Sequence, residues 1–232
     1  ALENKIIYSL NGEEQLPLAS LAKIMTAVIA REILPDYATV TIDRDSVKKE
    51  GDTGLRVGEK WRARDLLDFT LLVSSNDGAA SLAAAAGLIF AGAGQNTEGL
   101  VADAATLENN FVAQMNEKAR SLGLAQTYFL NETGLDLQPQ VSGGYGSALD
   151  VATLLVYAVE KYPDLFEATR SPVFEVLLLD GKNRRAKNTN EAVLKIPGLI
   201  ASKTGYTDFA GGNLAVLMDV GLGHPVAIVF LG

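Results

Sequence analysis

The sequence predicts an α+β fold in which an antiparallel sheet packs against flanking helices and a helical subdomain. Two observations carry this prediction: strand-like segments lie near both ends of the chain, and the middle carries apolar residues at helical spacing. The length of 232 residues and the hydrophobic content of 48% are enough to build a substantial core. We therefore expect one domain over residues 1–232, with a mainly helical subdomain at about 31–170 inserted between the sheet-forming ends.

The predicted strands are short runs rich in β-branched and aromatic residues. The first, residues 5–10 (KIIYSL), runs into the turn-forming pair Asn11-Gly12, and a brief strand is predicted over 40–42. Towards the C-terminus four more strands are separated by Gly- or Asp-bearing turns. They cover residues 173–179, 199–204, 213–218 and 225–231. The sheet is therefore expected to combine strands from both ends of the chain.

The predicted helices rest on composition, on end signals and, for residues 63–72, on apolar residues at intervals of three and four. The first contains ASLAKIMTAV (residues 19–28), and Gly123 and Pro163 supply the end signals of two later ones. The other four predicted helices cover residues 63–72, 78–86, 104–122 and 150–162.

The composition excludes several classes of function. A formal net charge of −8 is the opposite of the basic field that nucleic acids and anionic membranes attract, so no nucleic-acid partner is expected. The absence of cysteine excludes disulfides, thiolate metal sites and a cysteine nucleophile. The single histidine, His224, is interpreted as a turn residue, which argues against a multi-histidine metal site and a Ser-His-Asp triad. No cofactor is expected.

The chain shows no segment long enough to cross a bilayer. Its longest weakly polar stretch, residues 81–94, falls short of the roughly 20 residues that a spanning helix needs. The sequence opens with Ala-Leu-Glu-Asn, so no signal peptide is visible. We expect membrane association only through segments outside this chain.

A lysine inside an apolar helix, three residues after a serine, is the first candidate for chemistry. Ser20 and Lys23 lie almost one helical turn apart, on the same face. The common interpretation is a lysine whose stem packs on apolar surface while its amine reaches water. The alternative is an amine that burial keeps neutral, able to activate the serine hydroxyl. A second Ser-x-x-Lys, Ser46 to Lys49, lies among charges and is interpreted as solvated surface.

Two further motifs follow along the chain. Ser-Ser-Asn at residues 74–76 lies between two predicted helices, where a polar capping loop is the simplest interpretation. Lys-Thr-Gly at residues 203–205 ends an apolar strand, where a turn is the simplest interpretation. In this order, Ser-x-x-Lys, Ser-x-Asn and Lys-Thr-Gly are nearly the set of penicillin-binding proteins and class A β-lactamases. Three ordered motifs are far more specific than any one of them.

Acyl transfer chemistry gives these residues distinct tasks. Ser20 is the candidate nucleophile and Lys23 its base, with Lys203 as a cationic neighbour that favours the neutral amine. The backbone N–H groups of Ser20 and Tyr206 can stabilise an oxyanion.

The remaining motif residues can handle the substrate. Ser74 can relay a proton to the leaving amine, and Asn76 can hold the acyl side chain and Lys23. Lys203 and Thr204 can bind a carboxylate, and Gly205 leaves room for the substrate backbone.

The sequence resembles the low-molecular-weight penicillin-binding proteins, the serine-type D-alanyl-D-alanine carboxypeptidases, over most of its length. The resembling stretches are PLASLAKIMTA (17–27), TGLRVGEKWRARDLLDFTLLVSSNDGAASLA (53–83), MNEKARSLGLAQTYFLNETGLD (115–136) and NTNEAVLKIPGLIASKTGYTDFAGGNLA (188–215). The resemblance implies acylation of Ser20 with Lys23 as general base, and it implies the tasks given above for the other motif residues. It further implies a peptidoglycan pentapeptide substrate, inhibition by β-lactam antibiotics and an extracytoplasmic location in the cell envelope.

Several departures from the family pattern are visible. Residues 92–105 form an expected insertion, Ser75 stands where the family often has glycine, and residues 138–146 lack a common histidine. The resemblance also implies a domain trimmed at both ends, without the last helix and without an arginine that assists carboxylate binding in relatives.

Three alternatives remain open. A class A-like β-lactamase needs a glutamate that activates the deacylating water, and the glutamates nearest in sequence, Glu108 and Glu132, have the wrong setting. A catalytically weak penicillin-binding sensor would keep the same site without turnover. A structural protein would carry the motifs by coincidence.

Overall fold

The computed structural model describes residues 5–90, 104–221 and 223–232, and it confirms the α+β fold class. The predicted helices are confirmed, with ends that differ by a few residues. Gly123 follows the fourth helix with a φ of +70°, as expected for a glycine beyond a helix C-terminus. The helices are α1 Lys23–Ile33, α2 Ala63–Val73, α3 Asn76–Phe90, α4 Ala104–Ser121 and α5 Ala148–Lys161.

Within the described residues the strands form four antiparallel sheets. The largest contains β8 (Leu199–Thr207), β9 (Gly211–Asp219) and β10 (Pro225–Phe230) in the order β10-β9-β8. The smaller strands are β1 Leu16–Pro17, β2 Thr39–Thr41, β3 Lys60–Arg62, β4 Tyr128–Phe129, β5 Gly144–Gly146, β6 Val173–Leu177 and β7 Asn183–Lys187. They pair as β1-β5-β4, β2-β3 and β6-β7.

The predicted strand over residues 5–10 is wrong. These residues adopt no strand, and Ile7 and Tyr8 are 75% and 81% exposed. A β-branched run forms a strand only when a neighbouring strand pairs with it and an apolar face is covered. Within the described residues, the main sheet therefore comes from the C-terminal part of the chain alone, whereas the N-terminal part contributes β1 to a small sheet.

Helix α1 is the centre of the core. Eight consecutive residues from Lys23 to Ala30 are buried, and α1 packs against α2, α3, α4 and α5. Strand β8 packs against the 3₁₀ turn Ala19–Ala22 that precedes α1. Because this turn and the start of α1 carry the first motif, β8 brings the third motif beside it.

Two predictions about the organisation of the chain, the insertion and the helical subdomain, remain predictions. Residues 92–103 of the expected insertion lie outside the described residues, and the rest of it begins α4. The division into a domain and a helical subdomain stays a prediction. Among the described residues, no helix is long and apolar enough to cross a membrane.

Candidate active site

Ser20 lies in a strained turn at the start of the central helix. Ala19, immediately before it, has a φ of +46°, a left-handed conformation that is rare for a residue with a side chain. Gly134 packs so closely on this turn that a Cβ there would overlap the carbonyl group of Ala19. Such strain persists only where the surroundings hold it, and it concentrates at functional sites. The turn therefore presents a half-buried Ser20 in a fixed orientation.

Lys23 is fully buried and its amine lies beside Ser20. Its Nζ is 2.9 Å from Ser20 Oγ, and it donates to Asn76 Oδ1 at 2.6 Å and to the Thr133 carbonyl at 2.7 Å. Burial lowers the pKa of Lys23 from its usual 10.5 to about 7, although the charge of Glu132 works in the opposite direction. A neutral amine has two hydrogens and one lone pair. Two donated bonds therefore leave the lone pair for the hydroxyl proton of Ser20.

The second motif forms a tight break between α2 and α3. Ser74 ends α2 in the left-handed conformation with a φ of +61°, and Asn76 begins α3. Asn76 is also held from its amide nitrogen, which donates to the carbonyl of Glu50 at 2.6 Å. Ser75, at the position where glycine is frequent in the family, is buried, and its Oγ accepts from the backbone N–H of Gly78 at 2.9 Å.

Lys203 contacts the second motif. Its Nζ donates to Ser74 Oγ at 2.8 Å and to the Thr204 carbonyl at 2.7 Å, and its side chain is buried. Burial and then the charge of Lys23 place the pKa of Lys203 well below its usual value. Two buried amines that repel each other share the site, so both are poised to exchange protons with neighbouring hydroxyl groups. The contact with Ser74 fits a proton relay more directly than it fits a carboxylate contact.

Gly205 is required by the backbone beside it. A Cβ at this position would lie 3.1 Å from the backbone nitrogen of Ser20 and 3.2 Å from that of Leu21. The sequence predicts that this glycine leaves room for the substrate backbone. The structure shows that the turn carrying Ser20 also packs closely against it. The next residue, Tyr206, is 70% exposed. A larger residue than glycine at position 205 would push β8 away from Ser20.

Thr204 has a partner that the sequence reasoning missed. Its Oγ1 lies 2.7 Å from Thr189 Oγ1, on an exposed residue of the segment between β7 and β8. Thr189 is fixed by its backbone N–H and its hydroxyl group, which both donate to the carbonyl of Leu72, at 3.1 and 3.2 Å. Two adjacent hydroxyl groups can bind both oxygens of a carboxylate. The only sequence signal for Thr189 is its place in the resembling stretch that begins at residue 188.

The loop over residues 131–135 supplies a second missed element. Asn131 Oδ1 accepts from the backbone N–H groups of Thr133 and Gly134 at 3.1 and 2.7 Å, and from Thr133 Oγ1 at 3.0 Å. This arrangement turns the Thr133 carbonyl towards Lys23. A backbone carbonyl leaves no signature in a sequence, although Asn131 in an Asn-x-x-Gly pattern is typical of a turn.

The second Ser-x-x-Lys motif is buried more than expected. Ser46 is 4% exposed and donates to Asp43 Oδ2 at 2.7 Å. Lys49 forms ion pairs with Glu132 at 3.2 Å and Glu108 at 3.3 Å, so the prediction of a solvated surface is wrong. Partial burial works to lower the pKa of Lys49, but these carboxylates outweigh it and the pKa is raised.

His224 lies in the turn between β9 and β10, as predicted. Its backbone N–H donates to Asp219 Oδ1 at 3.0 Å and its carbonyl accepts from Val220 at 3.2 Å. The Asp219 carboxylate thus holds the turn by accepting from the backbone N–H groups of Gly221, Gly223 and His224.

The amino-acid sequence is similar to those of curated proteins. A D-alanyl-D-alanine endopeptidase of Pseudomonas aeruginosa is 31% identical over 232 residues, covering 98% of this chain and 67% of the relative. The D-alanyl-D-alanine carboxypeptidase DacF of Bacillus subtilis is 28% identical over 234 residues, covering 97% of this chain and 54% of the relative. The chain therefore spans about half to two thirds of the length of these relatives.

A solved structure agrees with the fold. The crystal structure of a D-alanyl-D-alanine carboxypeptidase from Mycobacterium tuberculosis has a TM-score of 0.80 and 27% identity, covering 99% of this chain and 78% of that one. A family model described as D-alanyl-D-alanine carboxypeptidase, peptidase family S11, matches residues 2–232. The chain therefore belongs to the D-alanyl-D-alanine carboxypeptidase family.

Proposed function

We propose that this chain is a serine-type D-Ala-D-Ala carboxypeptidase that acts on peptidoglycan pentapeptides through an acyl-enzyme on Ser20 and is inhibited by β-lactams. One observation carries the proposal: the buried amine of Lys23 lies 2.9 Å from Ser20 Oγ, in a chain of the carboxypeptidase family. A pKa near 7 makes this amine a base at neutral pH. The names of the relatives supply the substrate class.

Acylation begins with transfer of the Ser20 hydroxyl proton to Lys23. Ser20 Oγ attacks the carbonyl carbon between the two D-alanines, and the carbonyl π electrons move to its oxygen. The backbone N–H groups of Ser20 and Tyr206 stabilise this oxyanion. The close packing of Gly205 on the Ser20 nitrogen supports this pairing of a turn with a strand.

Collapse of the tetrahedral intermediate breaks the peptide bond and releases D-alanine. Its nitrogen takes the hydroxyl proton of Ser74, and Ser74 regains one from the Lys23 ammonium, which returns Lys23 to its neutral form. Lys203 Nζ, 2.8 Å from Ser74 Oγ, holds this hydroxyl in place. Water then attacks the ester carbonyl carbon and gives a proton to Lys23, and Lys23 passes this proton to Ser20 Oγ as the ester bond breaks, which restores the free serine and the neutral amine. Asn76 keeps Lys23 in place through the 2.6 Å bond and is well placed to contact the acyl side chain.

Substrate selection rests on the terminal carboxylate. Thr204 and Thr189 present two hydroxyl groups 2.7 Å apart, and the Lys203 amine lies one residue away on the same strand. In a protein of net charge −8, an anionic peptide end needs such a local site to dock. We assign these residues, with Gly205 and Tyr206 on the same strand, to substrate binding.

The proposal extends to place and partners. Peptidoglycan lies outside the cytoplasmic membrane, so an extracytoplasmic location in the cell envelope follows from the substrate. Nucleic acid is not a partner, and any membrane association comes from segments outside this chain. The proposed catalytic unit is one transpeptidase-like domain over residues 1–232, with the helical subdomain at about 31–170.

The direct test is release of D-alanine from a peptide that ends in D-Ala-D-Ala. We expect D-alanine to accumulate over many turnovers, and the amidated peptide to react far more slowly. A stable penicillin adduct without D-alanine release would favour the sensor. Rapid, continuous consumption of penicillin would favour the β-lactamase.

The endopeptidase relative favours a second substrate for the same chemistry. Its 31% identity extends over 98% of this chain, and its name describes cleavage within a peptide. An acyl-enzyme forms equally when the leaving amine belongs to a cross-linked second peptide. Incubation with a cross-linked peptidoglycan dimer tests this, and monomer release at a rate comparable to D-alanine release would establish both activities.

A further inference from the structure

A buried carboxylate lies behind the general base and has no task in the mechanism above. Glu132 is 1% exposed, and among the described residues its carboxylate makes no side-chain contact other than an ion pair with Lys49. In this pair the Nζ of Lys49 lies 3.2 Å from Oε1 of Glu132. Lys49 also reaches Glu108, 3.3 Å away and 36% exposed. A buried carboxylate so poorly bonded is costly to the fold.

Backbone contacts fix Glu132 against the first turn of α1. The carbonyl of Glu132 accepts from Thr26 Oγ1 at 2.6 Å, and the next carbonyl, that of Thr133, accepts from Lys23 Nζ at 2.7 Å. Thr26 and Lys23 are three residues apart and therefore on the same face of the helix. The segment that carries the carboxylate cannot move without moving the acceptor of the general base.

Few charges face the two groups. The charged groups near Lys23 are Glu132, in this loop, and Lys203, on β8. The charged groups near Glu132 are Lys49, in the region before α2, and Glu108, on α4. Burial raises the pKa of Glu132, the Lys49 ammonium opposes that rise, and Glu108 adds to it. Glu132 is the charge that raises the pKa of Lys23 against the effect of burial. The cluster thus offers one compensating negative charge to a site with two buried amines.

We propose that Glu132 is a positioning residue for acylation: its carboxylate, held by Lys49, is the counter-charge for the Lys23 ammonium that forms when Ser20 loses its proton. The inference rests on the proposed function of Lys23 as general base. The carboxylate does not touch the substrate or the serine. It acts through Lys23, as a buried aspartate acts through histidine in a Ser-His-Asp triad.

The test is the pH dependence of acylation by a fluorescent penicillin, measured for Glu132→Gln. This isosteric change removes the charge, so the proton affinity of Lys23 falls. We expect the midpoint of the acid limb to move to lower pH by about half a unit or more, and the plateau rate to fall several-fold because the base is weaker. A structural role alone would lower the rate without moving the midpoint.

Two variants control this measurement. Glu108→Gln removes a charge from the same lysine at a more exposed position, and its shift must be less than half that of Glu132→Gln. The double variant Glu132→Gln/Lys49→Gln leaves no unpaired buried charge, and it must show the same downward shift even where the single variant folds poorly.

The outcomes separate this inference from the proposed function. If the unmodified chain is not acylated, the proposed function fails. If the unmodified chain is acylated and the Glu132→Gln and double-variant midpoints coincide with its own, only the role of Glu132 is overturned. An upward shift in either variant overturns it as well.

Discussion

The chain contains the Ser-x-x-Lys pattern twice, and the two copies have opposite electrostatic surroundings. At the first, Lys23 is fully buried with Ser20, an amide oxygen and a carbonyl as its hydrogen-bond partners, and its pKa falls to about 7. At the second, Lys49 is 28% exposed and paired with two carboxylates, and its pKa is raised. Lys23 is thus suited to accept a proton near neutral pH, whereas Lys49 remains a cation.

The serines differ in the same sense. Ser20 lies at a strained turn with the lysine amine 2.9 Å from its oxygen. The hydroxyl group of Ser46 donates a hydrogen bond to Asp43 Oδ2 at 2.7 Å. The comparison shows that burial and hydrogen-bond partners, rather than the spacing of the motif, determine whether a lysine can activate a serine.

The largest expected effect comes from removing the base. Lys23→Ala should lower the acylation rate by about 10² or more, because it removes the amine that lies 2.9 Å from Ser20 Oγ. A control substitution in the second copy, Ser46→Ala, should leave acylation unchanged. Fluorescent penicillin labelling measures both rates, and a thermal melt verifies that each variant folds. Near-normal labelling of Lys23→Ala would remove Lys23 from the mechanism.

The two lysines also predict the pH dependence. Below pH 7 the amine of Lys23 gains a proton and loses the lone pair that accepts from Ser20, since its pKa is about 7. Acylation should therefore fall about tenfold per unit as the pH drops below this value. Lys49, with its raised pKa, does not titrate in this range. Acylation rates that stay constant from pH 8 down to pH 5 would contradict a base with this pKa.

The smallest expected effect concerns the proposed carboxylate site of Thr189 and Thr204, which belongs to the same site as the first Ser-x-x-Lys copy, Ser20 to Lys23. Thr189→Val keeps the shape and removes the hydroxyl 2.7 Å from Thr204 Oγ1. The loss of one such bond to a charged group should reduce kcat/KM by roughly tenfold for a peptide with a free carboxylate. The amidated peptide serves as the control, and an equal loss on both peptides would assign Thr189 a purely structural role.

The fold could be predicted where local pattern and burial agree. Helices α1 to α5 follow from helix-forming composition, apolar spacing and end signals, and β8 to β10 follow from strand-like runs between Gly- or Asp-bearing turns. Residues 5–10 have the same composition but no strand beside them, whereas β7 (Asn183–Lys187) is polar and is a strand because β6 pairs with it. Pairing over long sequence distances decides both cases, and it leaves no local signal.

The candidate site could be predicted as far as side chains in motifs define it. The structure brings Ser20, Lys23 and Asn76 into one hydrogen-bonded group and Ser74 and Lys203 into a second, and the charges of the two lysines interact. The Thr133 carbonyl was missed because every residue has one, and the Lys49–Glu132 ion pair was missed because its partners are 83 residues apart in sequence, from 49 to 132. The sequence argues against Glu132 as the base that activates the deacylating water, and it does not predict the ion pair of Glu132 with Lys49.

The proposed mechanism requires that Ser20 is the acylated residue, and mass spectrometry of the penicillin-treated chain identifies that residue. We predict a mass increase of one penicillin per chain, an adduct that maps to the peptide containing Ser20 and a lifetime of minutes or longer. Its persistence is expected because the ring-opened leaving group stays tethered where it can block water. An adduct on Ser46 or on any other serine would contradict the account, as would steady consumption of penicillin with rapid recovery of the free mass.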